Sequence, residues 1–183
     1  MKSAIKQNSF AEDILTGLSA SPKFLSSKYF YDDEGSRLFQ QIMDLPEYYL
    51  TRSEFEIFST RQKEIFEAFT RNSAEFDLIE LGAGDGTKTA VLIDCFLKEN
   101  AVFTYSPIDI SQEAVDSLTA KFKIEFPDLK MNAKTGDYFR ILETLKSESS
   151  RPKILMFLGS NIGNFGAPQS IEFFKSLFPV KSG

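Results

Sequence analysis

The stretch FDLIELGAGDGTKTAVLID, residues 76–94, gives the strongest indication of the fold of this chain. In it an apolar, strand-like run passes directly into a helix-like run, and Gly82, Gly84 and Gly86 occupy the join. Glycine tolerates positive φ and lets a backbone approach a ligand closely, and the amides at a helix N-terminus attract negatively charged groups. The stretch therefore predicts a strand, a tight turn and a helix, in which either a bound ligand or the shape of the turn itself demands the glycines.

The spacing of the glycines bears on which ligand the turn would bind. The pattern G-x-G-x-G differs from the dinucleotide pattern G-x-G-x-x-G, in which the third glycine comes one position later. Glu80 and Asp85 add negative charge beside the turn, which is unfavourable for a pyrophosphate and less so for a cationic sulfonium. Both points favour S-adenosylmethionine (SAM) over a dinucleotide.

Upstream of this stretch the sequence reads as helices. Apolar residues at helical spacing predict a first helix through Leu18, a second over 33–43 and a third over 52–70. Ser9 and Ser53, each with a glutamate three residues later, are capping-box candidates for the first and third of them. The third helix carries an aromatic stripe that is expected to face a core: Phe55, Phe58, Phe66 and Phe69.

Downstream, strands alternate with helices. The predicted strands are DLIELG, VFTYSPID, LKMNAKTG and KILMFLGS, and the predicted helices cover 87–98, 112–125, 137–146 and 168–178. This alternation predicts an α/β fold with a parallel, Rossmann-like sheet of four strands, preceded by an N-terminal helical segment. In such a sheet the ligand crevice lies at the carboxyl ends of the strands.

Composition excludes several classes of function. The 183 residues carry 21 Lys and Arg against 26 Asp and Glu, a net charge of −5, and no basic run, so no nucleic-acid partner is expected. Cys95 is the single cysteine and histidine is absent, which removes disulfides, Ser-His and Cys-His nucleophiles and the usual zinc sites, so no metal is expected. No signal-like or long apolar segment is present, which gives the expectation of a cytoplasmic protein without a membrane partner.

Acidic and aromatic residues follow the next two predicted strands. Asp109 lies 23 residues after Gly86, where α/β cofactor folds place a carboxylate on ribose hydroxyls. Asp137 and Tyr138 follow the third strand and suit an adenine amino group and a stacking or edge contact. Three strand ends with such residues in the correct order predict a SAM-type site.

Five motifs together resemble the histidine-specific SAM-dependent methyltransferases, the family of the ergothioneine-pathway enzyme that makes trimethylhistidine. The resemblance covers nearly the whole chain after residue 20. It implies a class I methyltransferase fold, SAM as cofactor, and methyl transfer to the α-amino nitrogen of an amino acid, which is histidine in characterised members. The motifs are KYFYDDEGSRLFQQIMDLPEYYLTRSEFEIF (28–58), IELGAGDGTKTAVLID (79–94), PIDIS (107–111), GDYF (136–139) and FLGSNIGNF (157–165).

The resemblance implies a role for individual residues of the cofactor site. Gly82 and Lys88 match residues around the methionine end of the cofactor, and Asp109 matches the ribose ligand. Asp137 and Tyr138 match the adenine contacts, with Tyr138 standing where phenylalanine is usual in the family.

The same comparison implies a substrate pocket built largely by the first part of the chain. Tyr31 and Tyr48 match tyrosines that line the cofactor and amino-acid pocket, and Asn164 matches the asparagine that holds the amino-acid end of the substrate. Phenol and amide groups suit a carboxylate, an imidazole or an amine. Residues 1–75 are therefore expected to contribute to the substrate pocket and residues 76–183 to form the SAM-binding domain, with Tyr48 orienting the substrate.

The family enzymes continue well past this length, so the sheet is expected to be incomplete. With the strand order 3-2-1-4, the apolar fourth strand would lie at an edge, and we expect self-association or a partner chain to cover it. Two alternatives stay open beside the methyltransferase: a SAM-binding but inactive fragment that serves as an interaction module, and an NAD-binding oxidoreductase, which the glycine spacing and the motifs disfavour.

Overall fold

The computed structural model describes residues 10–30 and 32–177. The backbone divides into two compact units, residues 1–30 and residues 31–183. Among the described residues, no helix combines the length and the apolar character that crossing a bilayer requires.

The first unit contains helix α1 (Phe10–Ser19), which confirms the helix predicted there, and a 3-10 helix (Ser27–Phe30). The two are joined by side chains, since the Tyr29 hydroxyl donates to the Asp13 carboxylate over 2.8 Å and the rings of Phe10 and Tyr29 meet edge-on. Ser9, the predicted start of the capping box, lies outside the described residues.

The second unit opens with two helices, α2 (Asp33–Met43) and α3 (Leu50–Thr70). Helix α2 has the predicted bounds, and the Asp32 carboxylate caps it by accepting the Gly35 N–H over 2.8 Å. The capping box predicted at Ser53 is wrong, because α3 begins earlier and Ser53 lies inside it. The residue before the helix, Tyr49, is already in a helical conformation and makes no side-chain cap, so the helix extends back past Ser53.

The sheet consists of five strands among the described residues: β1 (Glu75–Leu81), β2 (Val102–Asp109), β3 (Lys130–Met131), β4 (Lys134–Thr135) and β5 (Lys153–Phe157). All of them are parallel, and their order is the predicted one, with β5 at one edge. The order is β3-β2-β1-β5, and β4 also pairs with β2.

The prediction of one continuous third strand is wrong, because β3 and β4 are separated at residues 132–133. Both short strands keep the same register on β2, so the interruption is local. It coincides with Asn132, whose side-chain amide donates to the Glu148 carboxylate over 2.8 Å.

The helices that follow the strands confirm the predicted alternation. Helices α4 (Thr87–Lys98) and α5 (Gln112–Glu125) have the predicted bounds, and α6 (Tyr138–Glu148) and α7 (Ala167–Leu177) differ from the prediction by one or two residues at each end. A 3-10 helix (Asn161–Asn164) lies between β5 and α7.

The core lies on both faces of the sheet. On one face, buried strand residues such as Phe76 and Tyr105 pack against α3, α4 and α5. On the other, Ile79 and Ile108 pack against α6 and α7. The aromatic stripe of α3 joins the first core through Phe58, Phe66 and Phe69, whereas Phe55, which was expected in it, is 43% exposed.

Candidate functional site

The turn between β1 and α4 has the backbone conformation that its glycines predict. Gly82, Gly84 and Gly86 have φ angles of +70°, +56° and +67°, in the left-handed region that L side chains rarely adopt. The turn stands at the carboxyl ends of the parallel strands, where ligands bind in open α/β sheets.

The three glycines have different neighbours. A Cβ on Gly86 would overlap the Leu118 side chain and lie 2.7 Å from Phe122 Cζ, so α5 needs glycine here in order to pack. A Cβ on Gly82 would lie 2.5 Å from Asn161 Nδ2 and 2.9 Å from the Tyr138 hydroxyl.

Gly84 alone faces open space. No heavy atom of the described residues lies within 4 Å of a Cβ built there. Of the two reasons that the sequence offers for glycine in this turn, internal shape therefore accounts for Gly82 and Gly86. Gly84 has no such neighbour among the described residues: its positive φ explains the glycine, and the open space beside it leaves room for a ligand.

Asp109 is brought to the same place by β2, whose last residue it is. Its Oδ2 accepts the Gly84 N–H over 3.3 Å and its Oδ1 accepts the Ser111 N–H over 3.1 Å. Burial raises the pKa of this carboxyl above its ordinary value, and the N–H groups of Ser111 and Gly84 oppose that rise. Each carboxylate oxygen can accept a further hydrogen bond, so Asp109 fits a pair of ribose hydroxyls beside Gly84.

The residues predicted for adenine lie after β4. Asp137 is the N-cap of α6, where its Oδ1 accepts the Arg140 N–H over 3.3 Å, so this side chain has a structural task in addition to its predicted one. Tyr138 is the first residue of α6, and its hydroxyl lies at Gly82 while its ring meets Phe157 edge-on. Their contacts with adenine stay predictions.

Lys88 lies in the first turn of α4, directly after the glycine turn. Its ammonium group forms an ion pair with Oε2 of Glu54 on α3. The other oxygen, Oε1, accepts the N–H of Gly159, in the loop after β5, over 2.7 Å. Sequence reasoning missed Glu54, although a charged residue four positions before the buried Phe58 on the same helix face was a usable signal.

The predicted substrate residues are only partly described. Tyr31 lies outside the described residues. Tyr48 stands in the loop before α3, half-buried, with its ring edge-on to Phe39. Asn164, at the end of the 3-10 helix, is exposed, and it is Asn161 at the start of that helix that lies at the glycine turn. The roles of Tyr48 and Asn164 stay predictions, and Asn161 joins the candidates.

Glu80 is buried beneath the turn at 2% exposure. Its Oε1 accepts the Thr89 hydroxyl over 2.7 Å and its Oε2 accepts the Tyr105 hydroxyl over 2.6 Å. Burial raises the pKa of Glu80 to about 7 in spite of these two hydrogen bonds. The negative charge that Glu80 was expected to add beside the turn is therefore only partial at neutral pH, and this buried group joins β1 to β2 and α4.

These residues fit SAM. The turn has open space at one glycine, and the adjoining carboxylate suits ribose hydroxyls. An extended ligand with its ribose at the end of β2 would have one end towards β4, beside Asp137, and the other over β1 and β5, beside Lys88.

Comparisons with known proteins identify the family to which the sequence is similar. A family model described as a histidine-specific, SAM-dependent methyltransferase matches residues 10–180. The histidine N-alpha-methyltransferase of Mycolicibacterium smegmatis is 37% identical over 165 residues, which are 90% of this chain and 50% of that protein. The enzyme of the same name from Mycobacterium tuberculosis is 34% identical over 168 residues, 92% of this chain and 50% of that protein.

The fold has a match among solved structures. The plantazolicin methyltransferase, solved in complex with SAH, superimposes with a TM-score of 0.50 at 16% identity, covering 84% of this chain and 51% of that one. This likeness confirms the methyltransferase fold that the sequence predicts. The chain spans about half the length of the curated relatives it matches. From the family model together with the motifs, the chain belongs to the histidine-specific, SAM-dependent methyltransferases.

Proposed function

We propose that this chain forms the cofactor-binding half of an enzyme that methylates the α-amino nitrogen of an amino acid, with histidine as the first candidate acceptor. The observation that carries the proposal is the open space at Gly84 beside the Asp109 carboxylate, at the carboxyl ends of the strands. Membership of a SAM-dependent family and similarity to two histidine N-alpha-methyltransferases support it.

Methyl transfer from SAM to an amine requires little acid–base catalysis from the protein. SAM, when bound, supplies a methyl group on a cationic sulfur, and the neutral thioether that remains after transfer is a good leaving group. The residues of this chain have to bind and align the reactants, and alignment is worth up to ~7–11 kcal/mol in favourable cases. In this proposal Gly84 and Asp109 hold the ribose side of the cofactor, Asp137 and Tyr138 its adenine, and Lys88 its amino-acid end.

Tyr48 is proposed to orient the acceptor, together with Tyr31 and Asn164. Its loop is held by Arg52 of α3, whose guanidinium donates to the carbonyl of Leu45 over 3.1 Å and also to that of Pro46. A fixed loop is what an orienting residue needs, because a small displacement of a reacting group costs much of the rate.

The test of the proposal is a calorimetric titration of SAM and of its demethylated product into the chain, followed by mass spectrometry of histidine incubated with SAM. Binding of both ligands together with methylated histidine would support the whole proposal. Binding without turnover would favour the second interpretation, a SAM-binding interaction module. Failure of both ligands to bind, or saturable binding of NAD in their place, would refute the cofactor assignment.

Removing the Asp109 carboxylate is expected to weaken SAM binding by about 1.5–3 kcal/mol, the scale for losing hydrogen bonds to a charged group. The substitution is Asp109→Ala, and calorimetry measures its effect. Asp128→Ala is the matched control, since Asp128 is exposed and lies after α5. Equal affinities of Asp109→Ala and the unsubstituted chain would refute the ribose assignment.

We also propose that a second copy or another chain covers the free edge of β5. Among the described residues β5 pairs with β1 alone, and its apolar Ile154 and Leu155 are only half-buried. Unpaired, apolar edge strands favour association. Light scattering at high micromolar concentration is expected to give a mass above that of one chain, and a constant monomer mass would contradict this. The cytoplasmic location expected from the sequence stays a prediction.

A further inference from the structure

Glu54 joins three separate elements around the crevice. It projects from the second turn of α3, pairs through Oε2 with Lys88 of α4, and accepts through Oε1 the N–H of Gly159 after β5. The two charged side chains are 23% and 18% exposed, so both are largely withdrawn from water. A charge-assisted hydrogen bond in such surroundings is stronger than one between exposed groups.

The contacts of Glu54 lie on the side of the crevice away from Asp137. Lys88 Nζ would be 3.7 Å from a Cβ on Gly159, and Asn161 Nδ2 would be 4.0 Å from it. Asn161 in turn lies against Gly82. The carboxylate of Glu54 therefore holds both the cation and the loop that border the glycine turn over β1 and β5.

We propose that Glu54 is a positioning residue for the cofactor: it fixes the Lys88 ammonium and the 159–161 loop where the amino-acid end of SAM has to lie. The inference rests on the proposed function and adds to it. Within SAM the amino-acid end carries the one carboxylate, which is the group a fixed ammonium attracts. Glu54 itself acts through Lys88 and Gly159 and does not touch the cofactor.

Two substitutions separate the two contacts. Glu54→Gln keeps an oxygen for the Gly159 N–H and removes the ion pair, whereas Glu54→Ala removes both. Glu56→Gln is the matched control, because Glu56 lies on the same helix and is exposed. Thermal unfolding followed by circular dichroism shows whether each variant is folded before ligand is added.

The readout is calorimetric affinity for SAM compared with affinity for 5′-methylthioadenosine, which has the same adenosine and sulfur but no amino-acid end. Glu54→Gln is expected to weaken SAM about fivefold to tenfold, on the scale of a partly buried ion pair, and Glu54→Ala to weaken it further. Methylthioadenosine is expected to bind both variants as it binds the unsubstituted chain.

The outcomes distinguish this inference from the proposed function. An unsubstituted chain that binds no SAM would refute the cofactor assignment, and the role of Glu54 with it. If the unsubstituted chain binds SAM but the Glu54 variants lose affinity for both ligands equally, or for neither, the positioning role is refuted. The cofactor assignment is then unaffected. A loss confined to SAM, absent in Glu56→Gln, would support the inference.

Discussion

Gly86→Ala is expected to lower the free energy of unfolding by about 2–5 kcal/mol, which is a large part of the stability of an ordinary domain. About 1–2 kcal/mol of this comes from holding an L side chain in the left-handed region, since φ at this residue is +67°. Another ~1–3 kcal/mol comes from overpacking, because the new methyl group would overlap Leu118 and crowd Phe122.

Gly84→Ala is the matched control, since it tests the same turn without the crowding. Its φ is +56° and no atom of the described residues would meet its methyl group, so only the backbone term of about 1–2 kcal/mol applies. Urea denaturation followed by far-ultraviolet circular dichroism measures both variants. Gly84→Ala is expected to stay folded and to lose SAM binding, and equal loss of stability in the two variants would contradict this explanation of the turn.

The second large effect is expected from pH. The pKa of Glu80 rises from 4.5 to about 7 on folding, so between these values the folded chain binds more protons there than the unfolded chain. Stability from this group is therefore full below about pH 4.5 and is lost as the pH rises through 7. The shift corresponds to a free energy on the order of 2–4 kcal/mol.

Glu80→Gln isolates this contribution. The amide can still accept from one of Thr89 and Tyr105 and donate to the other, but it does not titrate. Urea denaturation at a series of pH values is expected to show the unsubstituted chain losing stability relative to Glu80→Gln between about pH 4.5 and 7. The chain has no histidine to titrate in this window. The rise in the Asp109 pKa is common to both proteins and cancels in the difference, so parallel curves would contradict the prediction.

The sequence predicts the bounds of helices and strands best where a residue next in sequence sets the boundary. Helices α4 and α5 begin where the sequence predicts because Gly86 and Ser111 are their N-cap residues. The Ser111 hydroxyl caps α5 by accepting the Ala114 N–H. The capping box at Ser53 fails because the pattern can occur inside a helix as well as at its start. The single third strand fails at Asn132, whose side chain bonds to Glu148, a contact between residues 16 apart that the local sequence does not indicate.

The candidate site divides in the same way. Asp109 could be predicted because its position at a strand end is a property of local order along the chain. Glu54 could be noticed as a charge four positions before the buried Phe58, but its contacts could not be predicted, because its bond to Gly159 joins residues 105 apart and forms only once α3 packs against the sheet. Asn161 and Asn164 are the same residue type in the sequence FLGSNIGNF, and only the 3-10 helix, of which they are the first and last residues, decides which one lies at Gly82.

The unequal neighbours of the three glycines have an evolutionary consequence. A homologue that had lost cofactor binding would remain under selection to keep Gly86, since the side chains of α5 would still leave no room for a Cβ there. It would keep Gly82 for as long as Asn161 and Tyr138 were retained. Gly84 would meet neither of these side-chain constraints and would keep only the backbone constraint that its positive φ imposes, so mutations should accumulate there first. In surveys of this family, a residue other than glycine at the position of Gly84 would then indicate a member that no longer binds the cofactor, even where the glycines on either side are retained.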